Sequence, residues 1–269
     1  MKRISRFLGV FLCLALVITG SAFAANETTI DVSNANDGYF TVEYNDSENV
    51  KMKVGVTFNG ETVYYNYTPN TKSAYAFDKG NGNYNITLYR NNSDTSYNTV
   101  SSASAYVQLE NSLAPYLVST AEVTFSAEDS VGKKAAELCK NKATDEEKVL
   151  ALHNYISKNF KYNYIFANAV MKGKIKNYTP NTNEILTERR GVCYDFSSLF
   201  AAMCRSQGIP CAISKGYLNG AYHAWNMVYV NDNWVAVDLT NSVRAKLKAV
   251  KPFSECTVML DASYTGYAF

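Results

Sequence analysis

Between residues 26 and 122 apolar and polar residues alternate in short runs, as in Tyr39-Phe40-Thr41-Val42-Glu43-Tyr44 and Asn85-Ile86-Thr87-Leu88-Tyr89. A period of two predicts half-buried strands. Asn59-Gly60, between Val54-Gly55-Val56-Thr57-Phe58 and Val63-Tyr64-Tyr65, predicts a hairpin, and Gly80-Asn81-Gly82 a second turn. From Ser126 the period changes. Ser126 with Asp129 predicts a capped helix running through Leu138, and Thr144 with Glu147 repeats the signal. Val149, Leu152, His153, Ile156 and Phe160 then recur at helical spacing. A short helix is expected around Glu184-Ile185-Leu186. Phe196, Leu199, Phe200 and Met203 mark one face of another, ended by Gly208 and Pro210. Three strands follow at about 211–218, 222–230 and 234–239, with turns at Asn219-Gly220 and Asn231-Asp232-Asn233.

These elements predict an α+β chain: a β-sandwich of immunoglobulin-like type over residues 25–122, then an α+β domain over residues 123–269. Eleven of the 21 tyrosines fall in the strand-rich part. They read as strand-face packing rather than as a sugar-stacking platform, because no Trp or charged cluster accompanies them.

Residues 1–24 read as a secretory signal peptide. Lys2, Arg3 and Arg6 precede an apolar run from Phe7 to Thr19, and Ala22-Phe23-Ala24 offers a cleavage site. Cys13 lies inside the run, which argues against a lipoprotein anchor. No later stretch of the sequence is long and apolar enough to span a membrane, so a secreted or cell-surface protein with no membrane anchor in its mature chain is expected. Loss of the leader moves the formal charge from +2 to −1. That balance argues against nucleic acid and anionic membrane as partners. Lys172, Lys174 and Lys176, the basic cluster, read as a solvated loop.

Five cysteines remain beyond the leader, so at least one thiol stays free. Cys204 and Cys211 read as core. Cys139 and Cys256 could pair. The spacings contain no Cys-x-x-Cys and no His-Glu-x-x-His, and no glycine-rich phosphate loop, so neither metal nor cofactor is expected.

The chemistry concentrates in three stretches: Gly191-Val192-Cys193-Tyr194-Asp195-Phe196, Tyr222-His223-Ala224-Trp225-Asn226, and Trp234-Val235-Ala236-Val237-Asp238-Leu239-Thr240. Acyl transfer through a thioester needs a sulfur nucleophile, a base, and a group that orients the base. In this order the stretches resemble the transglutaminase-like superfamily of papain-like cysteine enzymes, over about residues 144–242. The resemblance implies Cys193 as nucleophile, His223 as general base and acid, and Asp238 as the orienting carboxylate. It implies attack on an amide of a protein or peptide substrate, cell-wall peptide among the candidates. Water (hydrolysis) or an amine (cross-linking) would resolve the thioester. The alternative is a catalytically silent wall or adhesion module on the same fold.

Several residues around the three carry their own expectations. A helix starting at Cys193 favours the thiolate, and Arg189 and Arg190 would add to this if they point inward. His153, on an apolar helical face, reads as structural. Asp195 reads as a backbone-fixing residue and Trp225 as a wall of the cleft, with simple packing as the alternative. The backbone N–H of Cys193 is one oxyanion donor, and Tyr162, Asn163 and Tyr164 are candidates for the second. Pairing Val230 with Trp234 sets Asp238 opposite Asn226 and His223 opposite Asn241. In that register Asp238 needs a bulge to reach His223, and Asn241 is the substitute orienting residue.

Overall fold

The computed structural model describes residues 29–246 and the strand Tyr264–Ala268. The expected leader at 1–24, with Cys13, lies outside the described residues. So does Cys256, and with it the pairing to Cys139.

The alternating segments form two antiparallel sheets. One has the order β1-β2-β5 (Thr29–Asp31, Tyr39–Glu43, Lys72–Ala76). The other runs β4-β3-β6-β7 (Glu61–Tyr67, Met52–Phe58, Gly82–Ser93, Ser96–Val107). The Asn59-Gly60 turn joins β3 to β4, both residues with positive φ. Alternate residues of the two sheets, among them Phe40, Val42, Tyr75, Val54, Ile86 and Leu88, merge into one buried cluster. Aromatic residues fill that interior, as Phe77 on Tyr84 illustrates.

Helices dominate from residue 130. α1 (Ser130–Cys139) opens four residues later than Ser126 suggests. Ser126 and Asp129 do exchange hydrogen bonds, but Asp129 is the cap and accepts from Gly132 N at 2.8 Å. Gly132 is required there, because a Cβ would meet the Ser126 carbonyl oxygen at 2.0 Å. α2 (Asp145–Asn159) has the expected box, with Thr144 Oγ1 accepting from Glu147 N and Glu147 from Ala143 N. α3 (Tyr164–Met171) is a helix that periodicity does not announce, since none of its residues is buried. α4 (Thr182–Glu188) and α5 (Cys193–Ser206) follow, the latter buried along most of its length.

α5 packs on the sheet β12-β11-β10-β13 (Asn233–Val237, Ala221–Val230, Cys211–Leu218, Tyr264–Ala268). Val228, Val230, Val235 and Val237 face α5 together with Phe196, Leu199 and Phe200. Buried Asn226 ties the layers by donating to Ser197 O of α5 and Ala212 O of β10. β12 leads directly into α6 (Leu239–Ala245).

His153 is buried in α2, and its Nε2 lies 2.9 Å from Ser242 Oγ of α6. Burial holds its imidazole below the ordinary value, with Asn154 acting weakly the other way. His153→Ala is expected to cost about 1–3 kcal/mol, the scale of a buried hydrogen-bonded group. Because the native state favours the neutral ring, its contribution is present above the unfolded-state value and declines as pH falls below about 6.5. Melting of both proteins across pH checks this: the gap between them should narrow on acidification.

Candidate active site

The Cys193 sulfur is positioned by a turn whose geometry depends on Gly191. β8 (Lys161–Tyr162) pairs in parallel with β9 (Arg190–Gly191), so the chain enters α5 from a fixed direction. Asp195, in the first turn, accepts from Val192 N at 2.8 Å and from Tyr178 Oη at 2.6 Å. It is buried, which raises its carboxyl, while these two bonds pull it back down. This is the backbone-fixing role expected of it. A Cβ on Gly191 would lie 2.6 Å from the Asp195 Cβ. Gly191→Ala must therefore push Asp195 or the turn aside, and is expected to cost about 1–3 kcal/mol, as overpacking does. A lowered melting temperature and weakened Cys193 alkylation are the readouts.

Cys193 is partly exposed and forms no disulfide among the described residues. Arg189 and Arg190 lie exposed on the outside of the turn, so they do not provide the inward charge considered from sequence. Arg244 of α6 holds its guanidinium over the Tyr162 ring at 5.7 Å and the Tyr164 ring at 5.9 Å. Burial raises the Tyr162 phenol, and the charge of Cys193 raises it further. Asn163 is occupied elsewhere: its N–H donates to Gly191 O and its side chain caps α3. That removes its backbone from the candidate oxyanion donors.

His223 and Asp238 meet because the hairpin register differs from the expected one. Val230 pairs with Asn233, not Trp234. The turn has two residues, Asn231 and Asp232, both with positive φ (52° and 59°), the conformation a tight right-twisted hairpin requires. One residue of register moves every later side chain to the opposite face. Asp238 thereby leaves the Asn226 face for the face that carries His223 and Trp225. No bulge is needed: Asp238 Oδ2 lies 2.9 Å from His223 Nε2.

Asp238 is held from several sides. It is the N-cap of α6, with Oδ1 accepting from Thr240 N and Asn241 N. Asn241 Nδ2 donates to Oδ2 at 3.0 Å. Asn241 thus braces the carboxylate rather than replacing it on the imidazole. Ser242 Oγ contacts Asp238 O, which links His153 to this corner at one remove.

His223 is buried, and Trp225 stacks on its ring at 6.0 Å and 25°. Burial alone would push the imidazole down. Hydrogen bonds to Asp238 and Cys193, and their charges, outweigh it and raise the value to about 9. With Nε2 on Asp238, Nδ1 is left for the sulfur. Sequence reasoning did not find the Asn241 brace, the Tyr178–Asp195 bond or Arg244. Asp238 at the end of an apolar strand pattern, in Asp238-Leu239-Thr240-Asn241-Ser242, was the available signal for the cap. The others join residues distant along the chain and leave none.

Residues 132–239 match the family model of the transglutaminase-like superfamily. Kyphoscoliosis peptidase of Homo sapiens is 28% identical over 127 residues, 43% of this chain and 18% of the relative. Its Mus musculus counterpart is 27% identical over 134 residues, 45% of this chain and 19% of the relative. The chain thus spans under a fifth of these curated relatives. The periplasmic domain of TgpA from Pseudomonas aeruginosa aligns at 15% identity and a TM-score of 0.38, covering 77% of this chain and 73% of that one.

Proposed function

We propose, for a chain whose residues 132–239 form a transglutaminase-like domain, that it is a cysteine enzyme cleaving or exchanging amide bonds in protein or peptide substrates. The observation that carries this reading is His223, engaged by Asp238 on one ring nitrogen and by the Cys193 thiol through the other. In the proposed cycle the Cys193 proton passes to His223 and the sulfur adds to the amide carbon. His223 returns the proton to the departing amine, leaving a thioester. Water or a second amine, deprotonated by His223, then releases the acyl group. Asp238 keeps Nδ1 aimed at the sulfur and stabilises the imidazolium. The Cys193 N–H, in the open first turn of α5, is the proposed oxyanion donor.

A silent binding module is not favoured, because it gives no reason for a desolvated imidazole with a carboxylate behind it. Incubation with a wall-peptide and surface-protein panel, with and without a primary amine, tests the reading by mass spectrometry. Cleaved or deamidated product means hydrolysis, and amine incorporation means transfer. No Cys193-dependent product in any arm would overturn it.

The remaining assignments are proposals of the same standing. We take residues 1–24 as an export signal, 25–122 as one domain and 123–269 as the other, and the mature protein as secreted or cell-surface associated. Among the described residues no helix is long and apolar enough to cross a membrane. The first domain is proposed to be an immunoglobulin-like sandwich. Its orders β1-β2-β5 and β4-β3-β6-β7 are those of strands A-B-E and C′-C-F-G in that fold. Tyr84, near the start of β6, donates to Gly80 O at 2.8 Å and accepts from Lys79 N, in the manner of the tyrosine corner found there.

A further inference from the structure

Between the first two sheets and the domain carrying Cys193 lies a cavity of about 300 Å³. Tyr65 and Tyr75 wall it from one side and Tyr116 from the connecting segment, while Arg205 of α5, Lys215 of β10 and Tyr222 of β11 close the other. A volume near the low end for ligand sites suits a small molecule.

Its charges are arranged in an unusual way. Glu122 and Lys215 satisfy each other at 2.5 Å, with Tyr194 Oη also donating to Glu122. Asp78 and Arg205, by contrast, make no ion pair among the described residues, although each feels the other's charge. Arg205 is buried, at 8% exposure, and among the described residues its Nε and Nη1 donate to the neutral carbonyls of Cys211 and Val118. Burial pushes the Arg205 guanidinium down from its ordinary value, with Asp78 and Glu122 acting the other way. Asp78 is only half-buried: its carboxyl is raised by partial desolvation and by Glu122, and held back by Lys79, a backbone hydrogen bond and Arg205. A buried charge such as that of Arg205 is costly unless a counter-charge pairs it. Two charges of opposite sign, lining one cavity without touching, call for a ligand with both charges close together.

We propose that this cavity binds a free α-amino acid as its zwitterion, the carboxylate on Arg205 and the ammonium on Asp78. The planar guanidinium presents several donors to a carboxylate. Tyr65, Tyr75 and Tyr116 then receive the side chain. An internal peptide residue lacks both charges and is not the ligand. The site stands apart from the catalytic reading, since it uses neither Cys193 nor His223.

The test is calorimetric titration of the full chain carrying Cys193→Ala with glycine, L-alanine, L-leucine and L-glutamine. The N-acetyl and amide derivatives of each, which remove one charge at a time, are titrated alongside. At least one amino acid should bind, and each of its derivatives should bind at least about tenfold more weakly, as expected for loss of a hydrogen bond to a charged group. Asp78→Asn should erase the preference over the N-acetyl form while leaving the preference over the amide. The proposal fails if none of the four binds, or if the derivatives bind as well as their parents. Because the titration is done without the thiol, it fails or succeeds independently of the proposed enzyme activity.

Discussion

Replacing Cys193 by alanine is expected to lower turnover by about ten-thousand-fold or more, the scale of losing a covalent nucleophile whose partners act as one unit. The fold should survive, because the side chain is partly exposed and the turn is held by Gly191 and Asp195. The same asymmetry predicts selective alkylation. Cys139, Cys204 and Cys211 are buried, and burial raises the Cys204 thiol and pushes Cys139 up to about 11. Iodoacetamide near neutral pH should modify Cys193 far faster than these three. A site-resolved mass-spectrometric time course with equal labelling at Cys204 would remove the main support for a reactive thiol.

Asp238 carries the second large effect. Asp238→Asn should lower turnover by about a thousand- to ten-thousand-fold, because an amide can hold the imidazole in the wrong tautomer and cannot stabilise its cation. Asparagine also caps helices well, so α6 should remain folded. Asp238→Ala adds the loss of the cap, about 1 kcal/mol. The pH dependence separates these roles. His223 is raised to about 9 against burial by Asp238 and Cys193. A raised value means that the protonated ring stabilises the native state below about 6.5, the unfolded value, and that this contribution is lost as pH climbs towards the folded value. Without the carboxylate the window must move to lower pH. Asn241→Ala, which removes a brace and not the carboxylate, should cost about tenfold at most, the low end for a residue acting behind a catalytic group. A nearly inactive Asn241→Ala beside an active Asp238→Asn would reverse the assignment.

The Asp238 corner also shows how far residue patterns reach. Read with a three-residue turn, the strand sets Asp238 on the wrong face and brings Asn241 forward. Two adjacent positive-φ residues, Asn231 and Asp232, shorten that turn by one and reverse the outcome. Turn type follows from backbone dihedrals that Asn-Asp-Asn permits in more than one way, so local chemistry could not choose. The tertiary fit chose: Val235 and Val237 had to join Val228 and Val230 against α5.

What the sequence by itself determined is local. Period-two and helical runs specified most strands and helices, Thr144 with Glu147 specified the start of α2, and the three short stretches singled out Cys193, His223 and Asp238. Each of these depends on neighbours within a few residues. α3 escaped because its side chains are exposed and carry no burial pattern. Only the tertiary structure decided the β11–β12 register, the brace of Tyr178 on Asp195, the position of Arg244 over two tyrosines, and the cavity between Asp78 and Arg205. Those depend on packing between segments up to more than a hundred residues apart, as with Asn66 donating to Tyr178 O. Such contacts are set by the closing of cores and by paired burial of charge, which no short stretch of the chain encodes alone.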